Sequence, residues 1–176
     1  CDGALKLVDT TGALSRVGAL LVGEPTSNYP YIGHKGAFWL TATTKGVTAH
    51  GSMPEQGINA VYKAAHALCA LERFTFDNPP HVLMGQATLN VGTIHGGLNI
   101  NSVPDQADLE VDIRTVPSSK HTEIHSKLSK SLGKDVELKT ILDLQPVYTD
   151  PQNPWVQTVY EIMGTFLKEK PKPSVA

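Results

Sequence analysis

The hydrophobic pattern of residues 33–149 predicts an α+β module of four antiparallel strands with two helices on one face. Three observations carry this. Residues 106–116 alternate, with Ala107, Leu109, Val111 and Ile113 on one side and Asp108, Glu110, Asp112 and Arg114 on the other, as in a sheet with one covered face. Residues 59–74 bring Val61, Tyr62, Ala65, Leu68 and Cys69 round at helical spacing. The segments also follow one another as β-α-β-β-α-β, punctuated by glycine and proline.

Taken in order, Ala19-Leu20-Leu21-Val22 is a short apolar run that breaks at Gly23-Glu24-Pro25. It reads as a buried, parallel strand with Glu24 at its carboxyl end. Residues 25–33 (PTSNYPYIG) read as a linker. Residues 37–48 are β-branched and aromatic and predict the first strand of the module. The helix over 59–74 follows, and Pro79-Pro80 ends the segment after it. Residues 86–95 predict the second strand and 106–116 the third. Ser118 or Ser119 is the expected cap of a helix running to Gly133, with Ile124, Leu128 and Leu132 as its apolar stripe. Residues 135–142 alternate as the fourth strand. This succession is the ferredoxin-like split unit.

After Thr149 the pattern changes. Asn153 followed by Pro154 predicts a capped helix over 154–168, with Trp155, Val159, Ile162, Met163 and Phe166 on one side. The ferredoxin-like unit already has both helices, so this helix and the strand at 19–22 need another partner. The expected division is 1–32 and 150–176 as stubs of an α/β body, flanking the module at 33–149. Both ends of the chain, Cys1 and the Pro171–Ala176 tail, read as cuts.

The 176 residues carry a formal charge of -2, 40% hydrophobic and 18% charged residues, values of an ordinary globular domain. No basic stripe invites nucleic acid, and no apolar run approaches the roughly 20 residues of a membrane span. Two cysteines, Cys1 and Cys69, make neither a disulfide framework nor a thiolate zinc site, so a reducing, cytoplasmic setting is expected.

Five places are candidates for chemistry. His50 lies in Lys45-Gly46-Val47-Thr48-Ala49-His50-Gly51-Ser52-Met53-Pro54, between the first strand and its helix, where functional loops concentrate; the alternative is an exposed loop histidine. Asn101 follows the turn Gly96-Gly97-Leu98-Asn99-Ile100, which is not a phosphate-binding loop; it is either a ligand donor or an asparagine suited to a turn. Arg114 is placed to fork onto a carboxylate, the alternative being a cross-strand ion pair of little worth. Glu24, just past a buried strand, stands where open α/β sheets build metal sites, although zinc needs three or four ligands. His121 and His125 have metal-like i, i+4 spacing but lack the H-E-x-x-H order, and a solvated helix face is the favoured reading. No G-x-S-x-G elbow occurs.

Together Gly23-Glu24-Pro25-Thr26, His34-Lys35-Gly36, Gly46 through Pro54 with Gly57-Ile58-Asn59-Ala60-Val61, Gly96-Gly97 through Asn101-Ser102-Val103-Pro104-Asp105, and Asp112-Ile113-Arg114 resemble the dinuclear-zinc M20 family of amidohydrolases, the acetylornithine deacetylase and succinyl-diaminopimelate desuccinylase group. The matching stretches cover almost the whole chain in order. The resemblance implies a catalytic domain with two zinc ions per subunit, interrupted by a ferredoxin-like dimerisation domain, and a homodimer acting on small N-acyl amino acids. It implies that Glu24 ligates one zinc, and that His50 reaches in trans to steady the scissile carbonyl of the partner's substrate. It implies that Asn101 and Arg114 contact substrate, the arginine through its carboxylate. The family's His-x-Asp pair, bridging aspartate, Glu-Glu dyad and last zinc histidine are absent, so this piece is expected to bind no catalytic zinc and to be inactive alone. The competing expectations are a free-standing ferredoxin-like regulatory or ligand-binding module and a complete metal enzyme built on His121 and His125.

Overall fold

The computed structural model describes residues 6, 8 and 12–176. It divides into two compact units, one made of the residues up to Pro30 with Asp150–Lys172, the other of Tyr31–Thr149 with Pro173–Ala176.

The second unit is built on a four-stranded sheet of β2 (Gly36–Lys45), β3 (Thr88–Gly96), β4 (Gln106–Thr115) and β5 (Val136–Leu144). Two-residue strands β1 (Gly33–His34) and β6 (Val147–Tyr148) pair with each other where the chain enters and leaves. The order across the sheet is β3-β4-β2-β5, every pair antiparallel. Helices α1 (Ala60–Glu72) and α2 (His121–Leu132) supply Ala67, Leu71, Ile124 and Leu128 to one core with Phe38, Leu40, Ala42, Leu109, Val111 and Ile113. The buried strand residues of this core come from alternate positions of β2 and β4, with Leu89, Val91 and Leu138 of the outer strands packed against them, so both helices cover the same face, giving the ferredoxin-like α+β fold.

The strands bulge twice. In β5 the register with β2 slips between Trp39 and Leu40, so Ile141 is extra and Leu142 lies opposite Trp39 on the uncovered face. In β3 the slip against β4 falls at Gly92. Along β4 the uncovered face is wet but satisfied: Thr43 donates to Asp108 at 2.6 Å, Thr93 to Glu110 at 2.8 Å and Trp39 Nε1 to Asp112 at 2.8 Å.

The cap of α2 differs from expectation. Lys120 occupies the N-cap position without a side-chain bond. The serines are used elsewhere: Ser119 Oγ accepts from Val116 N, and Asn78 Nδ2 donates to both Ser118 and Ser119. They close the turn before the helix instead of capping it.

In the first unit, α3 (Pro154–Leu167) starts as expected, with Asn153 Oδ1 accepting from Trp155 N at 2.9 Å. Val156 and Tyr160 are its buried residues, while Trp155, Ile162 and Phe166 of the expected apolar face are exposed. The strand at 19–22 does not form: Leu20, Leu21 and Val22 are exposed and carry no ladder. A strand exists only by pairing, and residues 19–22 pair with no described segment. The tail also departs from expectation. Ser174 pairs in parallel with Tyr31, Ile32 N donates to Ser174 O at 2.9 Å and Ala176 N to Gly33 O at 3.0 Å, so Pro173–Ala176 joins the unit at 31–149. Among the described residues no helix is long and apolar enough to cross a membrane. Cys69 is a free, exposed thiol, whereas Cys1 lies outside the described residues.

Candidate functional site

Two loops meet at the end of the sheet away from β1 and β6. The β2–α1 loop is folded back by the pair Val47 N to Ile58 O (2.8 Å) and Ile58 N to Val47 O (2.9 Å), and anchored by Gly46 N to Asp105 O at 2.8 Å. A Cβ on Gly46 would collide with the Ile58 carbonyl, which is why the first loop residue is glycine. The β3–β4 loop then lies alongside. His50 bridges Ser102 in antiparallel fashion, through Gly51 N to Asn101 O at 2.7 Å and Val103 N to Ala49 O at 2.8 Å. A Cβ on Gly51 would stand 3.0 Å from Asn101 O, so the two loops approach this closely only because position 51 has no side chain. His50 and Asn101, distant in sequence, are thereby fixed as neighbours.

The state of His50 follows from its own bonds. Ser52 N donates to Nδ1 at 3.2 Å, and Ser52 Oγ lies 2.8 Å from the same nitrogen. A backbone N–H only donates, so Nδ1 is the acceptor and the ring proton sits on Nε2. His50 is exposed, leaving Nε2–H as a donor presented outward. The Asn101 side-chain amide makes no hydrogen bond among the described residues and is exposed. Both groups are therefore donors available to a carbonyl or oxyanion.

Arg114 is not part of this cluster. It sits opposite Ala37 near the start of β2, at the end of the sheet where the chain enters and leaves. From Gln106 to Arg114 a strand advances roughly 26 Å, and Asn101 lies beyond that. Arg114 pairs with Asp112, Nη2 to Oδ2 at 2.9 Å and Nε to Oδ2 at 3.1 Å. The pair lies within one strand, two residues apart, and not across strands. Glu24 belongs to the other unit, exposed in a turn where its carbonyl accepts from Thr26 N at 2.8 Å. Among the described residues no group of three or more His, Cys, Asp or Glu is arranged to hold a metal ion. The described residues do not compose a zinc site, and Glu24 offers one ligand at most.

His121 overturns its expected place on a solvated helix face. It is 4% exposed, stacked on Phe38 at 4.6 Å. Its Nδ1 lies 2.6 Å from Asp143 Oδ1 and its Nε2 2.8 Å from Thr115 Oγ1. The order hydroxyl, imidazole, carboxylate is that of a hydrolytic triad, but Thr115 is 0% exposed, so no substrate reaches it. The group ties α2 to the ends of β4 and β5. His125, one turn on, is half-buried and shares none of these bonds.

One carboxylate of the sheet is electrostatically tuned. Gln106 and then Thr43 donate to Asp108 and hold it below the usual carboxylate range, at 2.8 and 2.6 Å.

Comparison with known proteins places this architecture. Residues 32–138 match the peptidase dimerisation domain of the M20 family. A probable succinyl-diaminopimelate desuccinylase of Staphylococcus epidermidis is 33% identical, the match covering 95% of this chain and 48% of that protein. A peptidase M20 domain-containing protein of Schizosaccharomyces pombe is 31% identical over 79% of the chain and 34% of its own length. Among solved structures, an M20 family metallo-carboxypeptidase from Sulfolobus solfataricus superposes with a TM-score of 0.68 at 16% identity, covering 87% of this chain and 48% of that one. An aminopeptidase from Bacillus cereus gives 0.65 at 17% identity, with 84% and 40% covered; these two show the shared fold.

The fold and the matched residues define a dimerisation domain of a hydrolase family. The chain belongs to the M20 peptidase family, and it spans about half the length of the desuccinylase relatives it matches.

The sequence offers His50, Asn101 and Arg114 as candidates but not the groups that hold them. Ser52, which orients His50, was visible only as a neighbour. The bond from Trp39 to Asp112 across strands was not legible, because pairing register is not written in either strand alone.

Proposed function

We propose that this chain is the dimerisation part of a zinc-dependent deacylase that hydrolyses the amide bond of N-acyl amino acids, of the N-acetylornithine or N-succinyl-diaminopimelate type. The observation that carries the reading is the antiparallel bridge that fixes His50 beside Asn101, with Arg114 at the opposite end of the sheet. Roughly 26 Å of strand is further than one small substrate extends. All three residues therefore serve catalysis only if they serve two sites: Arg114 the site of its own subunit, His50 and Asn101 that of the partner. A two-fold dimer provides this geometry.

The division of labour follows from the chemistry of each group. Nε2–H of His50 donates to the scissile carbonyl and binds more strongly as negative charge gathers on that oxygen. The Asn101 amide supplies a further donor. Arg114 binds a substrate carboxylate through a planar fork. The two zinc ions of the parent are held by residues beyond those described, with Glu24 as one ligand. The chain alone is proposed to be inactive, and a cytoplasmic setting belongs to the same reading. Leu20, Leu21, Val22, Trp155, Ile162 and Phe166 are exposed, and a catalytic body covering them favours this reading over a free-standing regulatory module.

The self-association edge is β3. Free edges are usually blunted by charge. Both outer strands carry a bulge, but β5 also carries Glu137, Lys139 and Asp143, whereas β3 (TLNVGTIHG) carries no Lys, Arg, Asp or Glu. A groove lined by Leu68, Cys69, Phe74, Phe76, Leu89 and Val91 runs beside it. In the full-length enzyme His50→Ala should lower kcat by about 10²–10³ with the dimer intact, the scale of losing one oxyanion donor. An unchanged kcat would remove His50 from the mechanism.

A further inference from the structure

Arg114 does not stand alone. On the uncovered face of the sheet Trp39 Nε1 donates to Asp112 Oδ1 at 2.8 Å, and Asp112 Oδ2 accepts from Arg114 Nη2 at 2.9 Å and Nε at 3.1 Å. The guanidinium carbon lies 6.0 Å from the centre of the Trp39 ring. Asp112 thus occupies the side of the guanidinium formed by Nε and Nη2. The end formed by Nη1 and the second Nη2 hydrogen has no partner among the described residues. A guanidinium has five N–H donors in a rigid plane, so fixing its side decides where its end points. The cross-strand neighbours of Arg114 are small, Ala37 on β2 and Thr88 on β3, and neither covers that end. The β5 bulge places Leu142 opposite Trp39, close enough to steady the indole. The side chains of Asp112 and Arg114 are 35% and 44% exposed, too exposed for their pairing to matter much to stability.

We infer that Asp112 and Trp39 are positioning residues: they hold the guanidinium by its side so that its end is free to bind a planar carboxylate bidentately. The inference rests on the proposed role of Arg114 and adds the parts that aim it. Asp112 leaves the fork free because it takes the side donors. Without it the guanidinium turns through several rotamers and presents the fork only part of the time, which weakens binding by that fraction.

The test uses the full-length hydrolase with whichever N-acetyl or N-succinyl amino acid it turns over fastest. The second probe is the same compound with its α-carboxylate replaced by a carboxamide. Arg114→Ala should raise KM for the carboxylate at least about a hundredfold; if it does not, the role of Arg114 itself fails and nothing remains to be positioned. Given that effect, Asp112→Asn should raise KM for the carboxylate about tenfold with kcat within about twofold, and leave the carboxamide unaffected. Trp39→Phe, which keeps a ring but loses the N–H, should raise it about threefold, and Asp112→Glu should recover part of the loss. An unchanged KM in Asp112→Asn overturns the inference while leaving Arg114 its role. So does an equal loss on both probes, which marks a merely structural part.

Discussion

At the scale of residues, a single backbone N–H decides the protonation pattern of His50: Ser52 N occupies Nδ1, so the outward nitrogen is a donor. Its placement depends on Gly51, where a methyl group would press on Asn101 O. Gly51→Ala should therefore separate the loops and lower kcat about tenfold in the parent, while shifting the urea midpoint of this chain little; equal kcat in both enzymes would show the contact to be idle. His121 is the opposite case, a histidine whose work is structural. His121→Ala leaves Thr115 buried and unpaired and should cost about 2–4 kcal/mol, whereas His125→Ala should cost under about 0.5 kcal/mol. Chemical unfolding separates them. Asp108 gives a pH dependence of defined sign. Its folded pKa is depressed by Gln106 and Thr43, so its stabilisation is complete above the unfolded value of about 3.9 and is lost as pH falls through the lower folded value. Asp108→Asn should flatten the fall in urea midpoint between about pH 4 and more acid conditions; an unaltered fall would place the acid sensitivity elsewhere.

At the scale of elements, what was legible in the sequence was whatever repeats along one segment. The alternation of 106–116 gave β4, with Ala107, Leu109, Val111 and Ile113 buried as read. The Asn153-Pro154 pair gave the start of α3 to the residue. What was not legible depends on a second segment. The apolar run at 19–22 is exposed because a strand needs an edge. Ser118 and Ser119 were taken by Asn78 and Val116, and His121 was buried by Phe38, Asp143 and Thr115. The helix spacing of His121 and His125 showed their common side, not which end of it the sheet would cover. The uncharged edge of β3 makes a prediction of its own. Asn90→Lys with Thr93→Lys should bring like charges together across a two-fold axis, a cost of several kcal/mol. The dimer Kd should then rise at least about a hundredfold. Light scattering that finds the same dimer would move the interface to another edge.

At the scale of the whole molecule, the proposed role of the sheet is that of a spacer. Its entry end carries Arg114 and its far end His50 with Asn101, and neither cluster has a metal-binding group around it among the described residues. The motifs that carried the family resemblance were legible in order and identity, and the family match over residues 32–138 takes in all of them but Gly23-Glu24-Pro25-Thr26. Their division between two ends was not legible, because linear order says nothing of where a strand's ends come to lie.

Subunit mixing tests that division directly. Two full-length variants, His50→Ala with its lowered kcat and Arg114→Ala with its raised KM, are unfolded, mixed in equal amounts, refolded together and assayed at substrate well below the wild-type KM, where each alone keeps about a hundredth of the activity or less. If Arg114 serves its own subunit and His50 the partner's, each mixed dimer contains one intact site, and about a quarter of wild-type activity should return. If both residues serve one and the same subunit's site, every site in the mixture lacks one of them. Activity no greater than that of the separate variants would contradict the account.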